Sequence, residues 1–437
     1  MYALTPIKVY MLDSIRDDPL CLSRMERMLG AMGRAREDVT CITEQNIGEV
    51  AEELEHLWPP ETVPEGQVRT YMRPLVFSKM PLGDERPDLT PLLERCPEGT
   101  KLSTLEAIHC HIDLVIDQHP YERDQRDNLV CWPTYNLGTM IGCPHGCLYC
   151  GGGKSGKFLS IGVNLEEYME ECVGPAIERY PWQKCWRMIR ATADLIAFEP
   201  EYGLFDLFTR KLAEYEERYG HFHTTSANVD WIADLPHRDR LIGVWSTTCE
   251  AVARDIEPGA GAAVDRIEAA RKCQEMGIPV RYKFKPIIPV RNWREEYAGI
   301  MEQALKRSRP ESIGFCMLAW MSFEDVAKRI DVGLLDEECV RAARDAAEEM
   351  EGVRTGPFPP EVRAEVYRFL IGEARRWDED VPLYLSTESR EMWDELEEEL
   401  GQSKLAYVCA CSSVAMPGGR LALSGDIPHS TYSPTPT

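Results

Sequence analysis

From Cys150 onward, short apolar runs of strand length alternate with amphipathic stretches long enough for helices, the rhythm of a parallel barrel. The spacing predicts strands over residues 187–193, 221–225, 241–246, 280–284 and 312–318, and helices over 165–179, 203–219, 262–276, 293–308 and 337–351. Gly277, followed by Ile278 and Pro279, reads as a helix stop that leads into a strand. Ahead of this series, residues 7–12 read as a strand and residues 20–32 and 47–57 as helices, which makes a small α/β unit. Prolines and charges interrupt every pattern from Pro59 to Glu98 apart from the apolar run at 75–77, and a further helix fits 105–116.

Beyond the series a helix fits 360–377, a strand 383–386 and a helix 388–400. A Ser/Thr/Pro-rich end begins near Ser424 and reads as disordered. The pattern therefore divides the chain into an N-terminal α/β domain over 1–130, a barrel over 131–320, a C-terminal α/β extension over 321–423 and a tail over 424–437. No internal repeat is present in the sequence.

Charge narrows the function classes. The 437 residues carry 49 Lys and Arg against 73 Asp and Glu, a formal net charge of −24, so a broad nucleic-acid surface is not expected. Hydrophobic residues at 44% and charged ones at 28% fit a folded protein with a large core. No apolar run approaches the ~18 residues of a membrane span. Lys8, Asp13 and Arg16 break the N-terminus where a signal peptide would be apolar, so the expected location is cytoplasmic. The 16 cysteines are spread from Cys21 to Cys411 without the spacing of a disulfide scaffold, so the informative question is which of them cluster.

Three do. Gly142-Cys143-Pro144-His145-Gly146-Cys147-Leu148-Tyr149-Cys150-Gly151-Gly152-Gly153 spaces its thiols as C-x3-C-x2-C. The same spacing would place three packed cysteines on one helix face, but Pro144, Gly146 and the glycines that follow argue for a loop instead. A loop can wrap a metal centre and leave backbone N–H groups to bond the sulfurs. Three thiolates leave one iron of a [4Fe–4S] cluster open to a small molecule. Zinc with His145 as fourth ligand is the competing metal reading, although ligands one residue apart would strain a tetrahedral site.

This loop resembles the cluster motif of the radical S-adenosylmethionine (SAM) superfamily. Beyond it the chain looks most like the spore photoproduct lyase family, from about Val9 to about Leu318. The stretches that carry the likeness are Val9-Tyr10-Met11, Val163-Asn164-Leu165-Glu166-Glu167, Ser246 to Ala270 with Glu257-Pro258-Gly259 and Arg266-Ile267-Glu268, and Pro286 to Tyr297 with Asn292-Trp293. The resemblance implies a partial (β/α)6 radical SAM barrel, a [4Fe–4S] cluster on Cys143, Cys147 and Cys150, and reductive cleavage of SAM to methionine and a 5′-deoxyadenosyl radical. It implies an electron donor such as flavodoxin or ferredoxin and an organic substrate that the sequence does not identify. Tyr149 matches the family. Two positions depart from it: the tyrosine after the third cluster cysteine is Gly151, and the hydrogen-returning cysteine position is Ala191.

Other residues are candidates by position. Ser246 matches the family position implied to bind the methionyl carboxylate of SAM, and an ordinary helix cap is its alternative. Thr192 and Ser226 sit near predicted strand ends, where a barrel builds its site, with turn roles equally open. Arg281, Lys283 and Lys285 share one strand face, the best candidate for a local nucleic-acid groove, where they either pair with neighbouring carboxylates or, at Lys283 or Lys285, hold an anionic group of SAM or substrate. Cys249 and Cys316 are candidate hydrogen donors in place of the missing thiol, against a role as inert buried residues. Cys409 and Cys411 form a C-x-C pair open to metal binding, a transient disulfide, hydrogen donation or a structural use. His109-Cys110-His111 with His119 and Cys131 has irregular spacing for zinc. The expected function is a radical SAM enzyme acting on an unidentified substrate. The alternatives are lesion repair of the family type with another thiol donor, and a non-catalytic iron–sulfur or zinc redox or interaction protein.

Overall fold

The computed structural model describes residues 4–57, 73–83, 86–118, 128–150, 157–188 and 193–428. It forms two compact units. One comprises Met1–Ile116, Asn136–Tyr180 and Met188–Tyr215, the other Asp117–Tyr135, Pro181–Arg187 and Glu216–Thr437. The units interleave along the chain. Among the described residues no helix is long and apolar enough to cross a membrane.

The first unit is built on a five-stranded sheet, in spatial order Val39–Ile42, Val9–Leu12, Leu75–Ser78, Leu159–Gly162 and Met140–Ile141. The first four run parallel and the last is antiparallel to its neighbour. Val9–Leu12 is buried at every position, which is why it reads as a continuous apolar run rather than an alternating one. The helix Pro19–Ala31 follows. Asp18 accepts from the N–H groups of Leu20 and Cys21 at 3.1 Å, and Pro19 occupies the first turn, where a missing N–H costs nothing. Tyr10, Leu12 and Val76 on the sheet pack with Ile47, Val50 and Leu54 of the helix Ile47–His56 and with Leu105 and Ile108.

Two elements of this unit differ from expectation. The helix predicted over 105–116 is Leu102–Ile108; Cys110 turns left-handed (φ 50°) and the β-branched Val115 and Ile116 enter a strand, Val115–Gln118. The helix over 165–179 is present but carries one wide turn, Met169–Val173, in which the Gly174 N–H reaches back five residues to Met169. Pro175 has no N–H to close the ordinary bond to Glu171, which accounts for a local shift in the ladder at this point.

The second unit contains the regular β/α series. Its parallel strands lie in the order Leu383–Leu385, Ile313–Met317, Val280–Ile287, Leu241–Thr247, Tyr219–Thr224 and Cys185–Arg187, with Thr134–Leu137 and Val115–Gln118 completing an eight-stranded sheet. Helices Glu250–Asp255 and Ala263–Glu275 connect the strands Leu241–Thr247 and Val280–Ile287, and Trp293–Arg307 connects the latter to Ile313–Met317. Gly277 takes φ 85° between helix and strand, as the Gly-Ile-Pro stop predicts. Parallel strands joined by helices place all strand C-terminal ends at one edge of the sheet, where α/β folds carry their sites. The mixed α/β class with parallel sheets agrees with the sequence reading.

The strand expected over 187–193 is Cys185–Arg187, and residues 189–192 lie outside the described ones. The helix expected over 203–219 is Leu204–Ala213, and the one over 337–351 is Glu337–Asp345. Of the tail, 424–428 are described; the rest of the expected disordered segment lies outside the described residues.

Candidate functional site

In the first unit, the strand Met140–Ile141 runs into the three-cysteine segment, and the chain returns as its antiparallel neighbour Leu159–Gly162. Its described part, residues 142–150, is a loop, not a helix. Gly142 (φ 92°) and Gly146 (φ 65°) both take the left-handed conformation that glycine adopts freely. A β-carbon on Gly142 would also lie 2.5 Å from Leu159 Cδ2. Cys150 N–H donates to the Cys147 carbonyl at 3.0 Å and closes the last turn. Cys143, Cys147 and Cys150 are all partly accessible, whereas Pro144, His145 and Gly146 between them are buried.

The Cys143 sulfur accepts backbone N–H bonds from His145 and Asp194, which work against the upward push of burial and of the Asp194 charge on its pKa. The charge of Cys150 also reaches it, as Cys143 reaches the buried Arg73. The loop is fastened through His145, whose Nε2 lies 2.8 Å from Asp194 Oδ2 with both side chains buried. The sequence offers no signal for this partner, 49 residues away.

This donor set fits an iron–sulfur cluster: three thiols on an irregular loop, with main-chain N–H groups directed at a sulfur. Among the described residues no group of three or more His, Cys, Asp or Glu side chains converges as a single metal ion requires. A cubane spreads its thiolates more widely than one tetrahedral ion does. His145, the fourth ligand of the zinc reading, has one ring nitrogen committed to Asp194. His109, Cys110 and His111 likewise form no single-ion group with described neighbours, and His119 lies outside the described residues. Tyr149 is partly exposed on the loop. Gly151, Ala191 and Thr192, the two family departures and one cofactor candidate, lie outside the described residues.

In the second unit, Ser246 lies next to the C-terminal end of the strand Leu241–Thr247, with its hydroxyl 2.7 Å from His223 Nε2. Its carbonyl accepts from Arg266 Nη1 at 3.1 Å. Arg266 also bonds the Gly261 carbonyl and forms a fully buried ion pair with Glu257. The Ser246-to-Ala270 stretch is thus one connected structure that fixes a strand end. Ser226 is buried; its hydroxyl accepts from the Asn228 N–H at 3.0 Å and its carbonyl from Trp245 Nε1 at 3.2 Å, so a turn role is present there. Tyr297, from the stretch that begins at Pro286, donates and accepts at Ile288 and lies 3.2 Å from the Thr248 hydroxyl. It ties the ends of two adjacent strands together.

Arg281 takes the ion-pair reading, at 2.8 Å from Glu311. Lys285 lies 4.9 Å over the Trp320 ring and donates to the Thr387 hydroxyl at 3.3 Å. Lys283 is buried and directs Nζ at Cys411 Sγ, 3.1 Å away. With Arg281 and Lys283 buried, this strand face is not an open basic groove. Cys249 caps the helix Glu250–Asp255 and is wholly buried, which pushes its thiol up to about 12. Cys316 is buried beside the Thr387 hydroxyl at 3.2 Å.

The family model described as spore photoproduct lyase matches residues 132–333. The spore photoproduct lyase of Bacillus subtilis (strain 168) is 26% identical over 191 residues, 41% of this chain and 53% of that protein, so the match spans about half of the relative's length. Among solved structures, a spore photoproduct lyase double mutant with bound AdoMet and dinucleoside spore photoproduct superposes with a TM-score of 0.58 at 16% identity, covering 88% of this chain and 98% of that one. A spore photoproduct lyase complexed with dinucleoside spore photoproduct gives the same values. The fold is shared with these structures, and the sequence resembles a family whose members are radical SAM enzymes.

Proposed function

We propose that this chain, a relative of the spore photoproduct lyases through residues 132–333, is a radical SAM enzyme that abstracts hydrogen from an organic substrate. The observation that carries the reading is the irregular loop that presents Cys143, Cys147 and Cys150 as three partly accessible thiols, with two N–H groups on the Cys143 sulfur. A [4Fe–4S] cluster held there would supply one electron, drawn from a small electron-transfer protein, to split SAM and release the 5′-deoxyadenosyl radical. The chain's own residues do the rest. His145 and Asp194 set the loop's conformation, and the main-chain donors offset negative charge on sulfur. Ser246, with Ser226 and Thr192, is proposed to bind the polar groups of SAM; the Arg266–Glu257 pair holds the Ser246 end of its strand.

Anaerobic reconstitution tests this reading. The loaded protein is expected to absorb near ~400 nm, as iron–thiolate clusters do, and to form 5′-deoxyadenosine from SAM and dithionite. Cys143→Ala is expected to lose both. Formation of 5′-deoxyadenosine by that variant would overturn the ligand assignment, and none from the loaded wild type would favour a non-catalytic redox protein.

The similarity to a lyase crystallised with dinucleoside spore photoproduct favours a second reading, repair of a thymine lesion with another thiol as hydrogen donor. Cys249 and Cys316, both near C-terminal strand ends, are the proposed donors, with Tyr149 as a relay. Turnover of the dinucleoside lesion with SAM regenerated would establish it, and its absence beside active SAM cleavage would leave the broader reading alone.

A further inference from the structure

The second unit carries a group of sulfurs and cations that the proposed radical chemistry does not use. Lys283, only 3% exposed, has Cys411 Sγ at 3.1 Å as its hydrogen-bond partner. A buried ammonium is stable only with a compensating charge or strong acceptor, and here a thiol sulfur occupies that place. Arg187 and His223 lie within electrostatic reach of the same sulfur. His221 is fully buried, with both ring nitrogens lacking a hydrogen-bond partner among the described residues, and burial takes its pKa down to about 3.

The second sulfur of the pair is placed differently. Cys409 is 3% exposed and 3.9 Å from Cys411, and it also contacts the Tyr384 hydroxyl. A turn closed by Ser412 N–H on the Cys409 carbonyl at 3.3 Å keeps the two cysteines on one bend. The segment is pinned by Arg281, which donates to the Ala410 and Met416 carbonyls, and by the Ser413 carbonyl, which accepts from Lys184 and Cys185. The hydrogen bond from Cys409, then the Lys283 and Arg187 charges, hold Cys411 well below the usual thiol range. Burial pushes Cys409 well above it. Cys131 lies within electrostatic reach of Cys409, yet no group of three ligands suited to a single metal ion forms among the described residues.

We propose that Cys409 and Cys411 form a thiol–disulfide redox couple whose partner is a low-molecular-weight disulfide, with the partly accessible Cys411 beside Lys283 as the attacking sulfur and the buried Cys409 as the resolving one. The Cys411 thiolate attacks one sulfur of R–S–S–R and expels R–S⁻, leaving a mixed disulfide. Cys409 gives up its proton to R–S⁻ and attacks Cys411 Sγ, expelling the second R–S⁻. The protein loses two electrons, and the small disulfide leaves as one thiol and one thiolate. The two sulfurs must close from 3.9 Å to the ~2.05 Å of a disulfide, a movement within one turn. A dithiol of the dithiothreitol class reverses the reaction.

Peptide mass spectrometry on the full chain with glutathione disulfide as probe tests this, and its readout does not depend on whether the other three cysteines hold a cluster. The peptide containing both cysteines is expected to lose two hydrogens, and Cys409→Ser to stop at a glutathione adduct on Cys411. At a pH below the wild-type Cys411 titration, where one pKa unit changes the thiolate fraction about tenfold, iodoacetamide is expected to label Cys411 roughly tenfold more slowly in folded Lys283→Met than in wild type, with the rate restored in Lys283→Arg. Unchanged labelling in folded Lys283→Met, or no adduct in Cys409→Ser, would overturn the proposal. If Lys283→Met does not fold, the wild-type profile decides. Cys411 labelling that holds its rate down to about pH 6 supports the couple, and labelling that falls about tenfold per pH unit, as for an ordinary thiol, overturns it.

Discussion

His145 Nε2 and Asp194 Oδ2 lie 2.8 Å apart in the first unit, and they bind the centre of the three-cysteine loop to a segment 49 residues later. The same Asp194 supplies a backbone N–H to the Cys143 sulfur, so one residue sets both the loop's position and the environment of a ligand. Asp194→Ala keeps the backbone donor and removes the carboxylate. It is expected to lower iron incorporation at least about twofold and to destabilise the unit by about 1–3 kcal/mol, the cost of a buried donor left without its acceptor. Iron per chain and a urea melt are the measurements. Loading and stability equal to wild type would show that the pair positions nothing.

The ion pair between Arg266 and Glu257 is wholly buried, so its removal from one side leaves a charge without compensation. Arg266→Met is expected to destabilise the second unit by about 3–5 kcal/mol, and Arg266→Met with Glu257→Leu to recover most of that loss. Chemical denaturation of the three proteins separates a charge effect from a packing effect. Should the double variant be as unstable as the single one, the bonds to Ser246 and Gly261 carry the stabilisation instead.

The regular part of the fold was legible because its signals are local. Gly277-Ile278-Pro279 marks a helix end within three residues, and the strand Val280–Ile287 and helix Trp293–Arg307 follow as spaced. The three cysteines were legible for the same reason. Short strands escaped: Met140–Ile141 has two residues and Leu-Ser-Ile-Gly at 159–162 has no distinctive pattern, although together they hold the cysteine loop. Contacts between distant residues escaped altogether. Nothing in the sequence joins Lys283 to Cys411, 128 positions away, because Cys411 sits on a turn that only the tertiary fold brings to the strand Val280–Ile287.

Glu199 yields a pH dependence. Its carboxylate is buried and accepts N–H bonds from Gly203, Leu204 and Phe205 at the start of the helix Leu204–Ala213. Burial outweighs those bonds and raises its pKa from 4.5 to about 7. The folded state therefore holds this proton more tightly than the unfolded state does. Its stabilising contribution is fully present below pH 4.5, falls as pH rises toward 7, and is gone above that, a loss on the order of 3 kcal/mol. Denaturation midpoints between pH 4.5 and 7.5 are expected to fall more steeply for wild type than for Glu199→Gln. Parallel curves would mean that the carboxylate is charged throughout.

Gly142 separates the geometry of the cysteine loop from the identity of its ligands. The residue combines φ 92° with a position where a β-carbon would lie 2.5 Å from Leu159 Cδ2. Alanine there must adopt a costly left-handed conformation and displace a side chain of the neighbouring strand, together about 1–3 kcal/mol. The strain falls immediately before Cys143, with all three thiols retained. Gly142→Ala is therefore expected to fold, with a thermal midpoint a few degrees lower, and to incorporate substantially less iron than wild type under identical reconstitution. If three thiols in sequence were sufficient and the strand-to-loop turn irrelevant, the variant would load fully, and iron quantitation alone would show it.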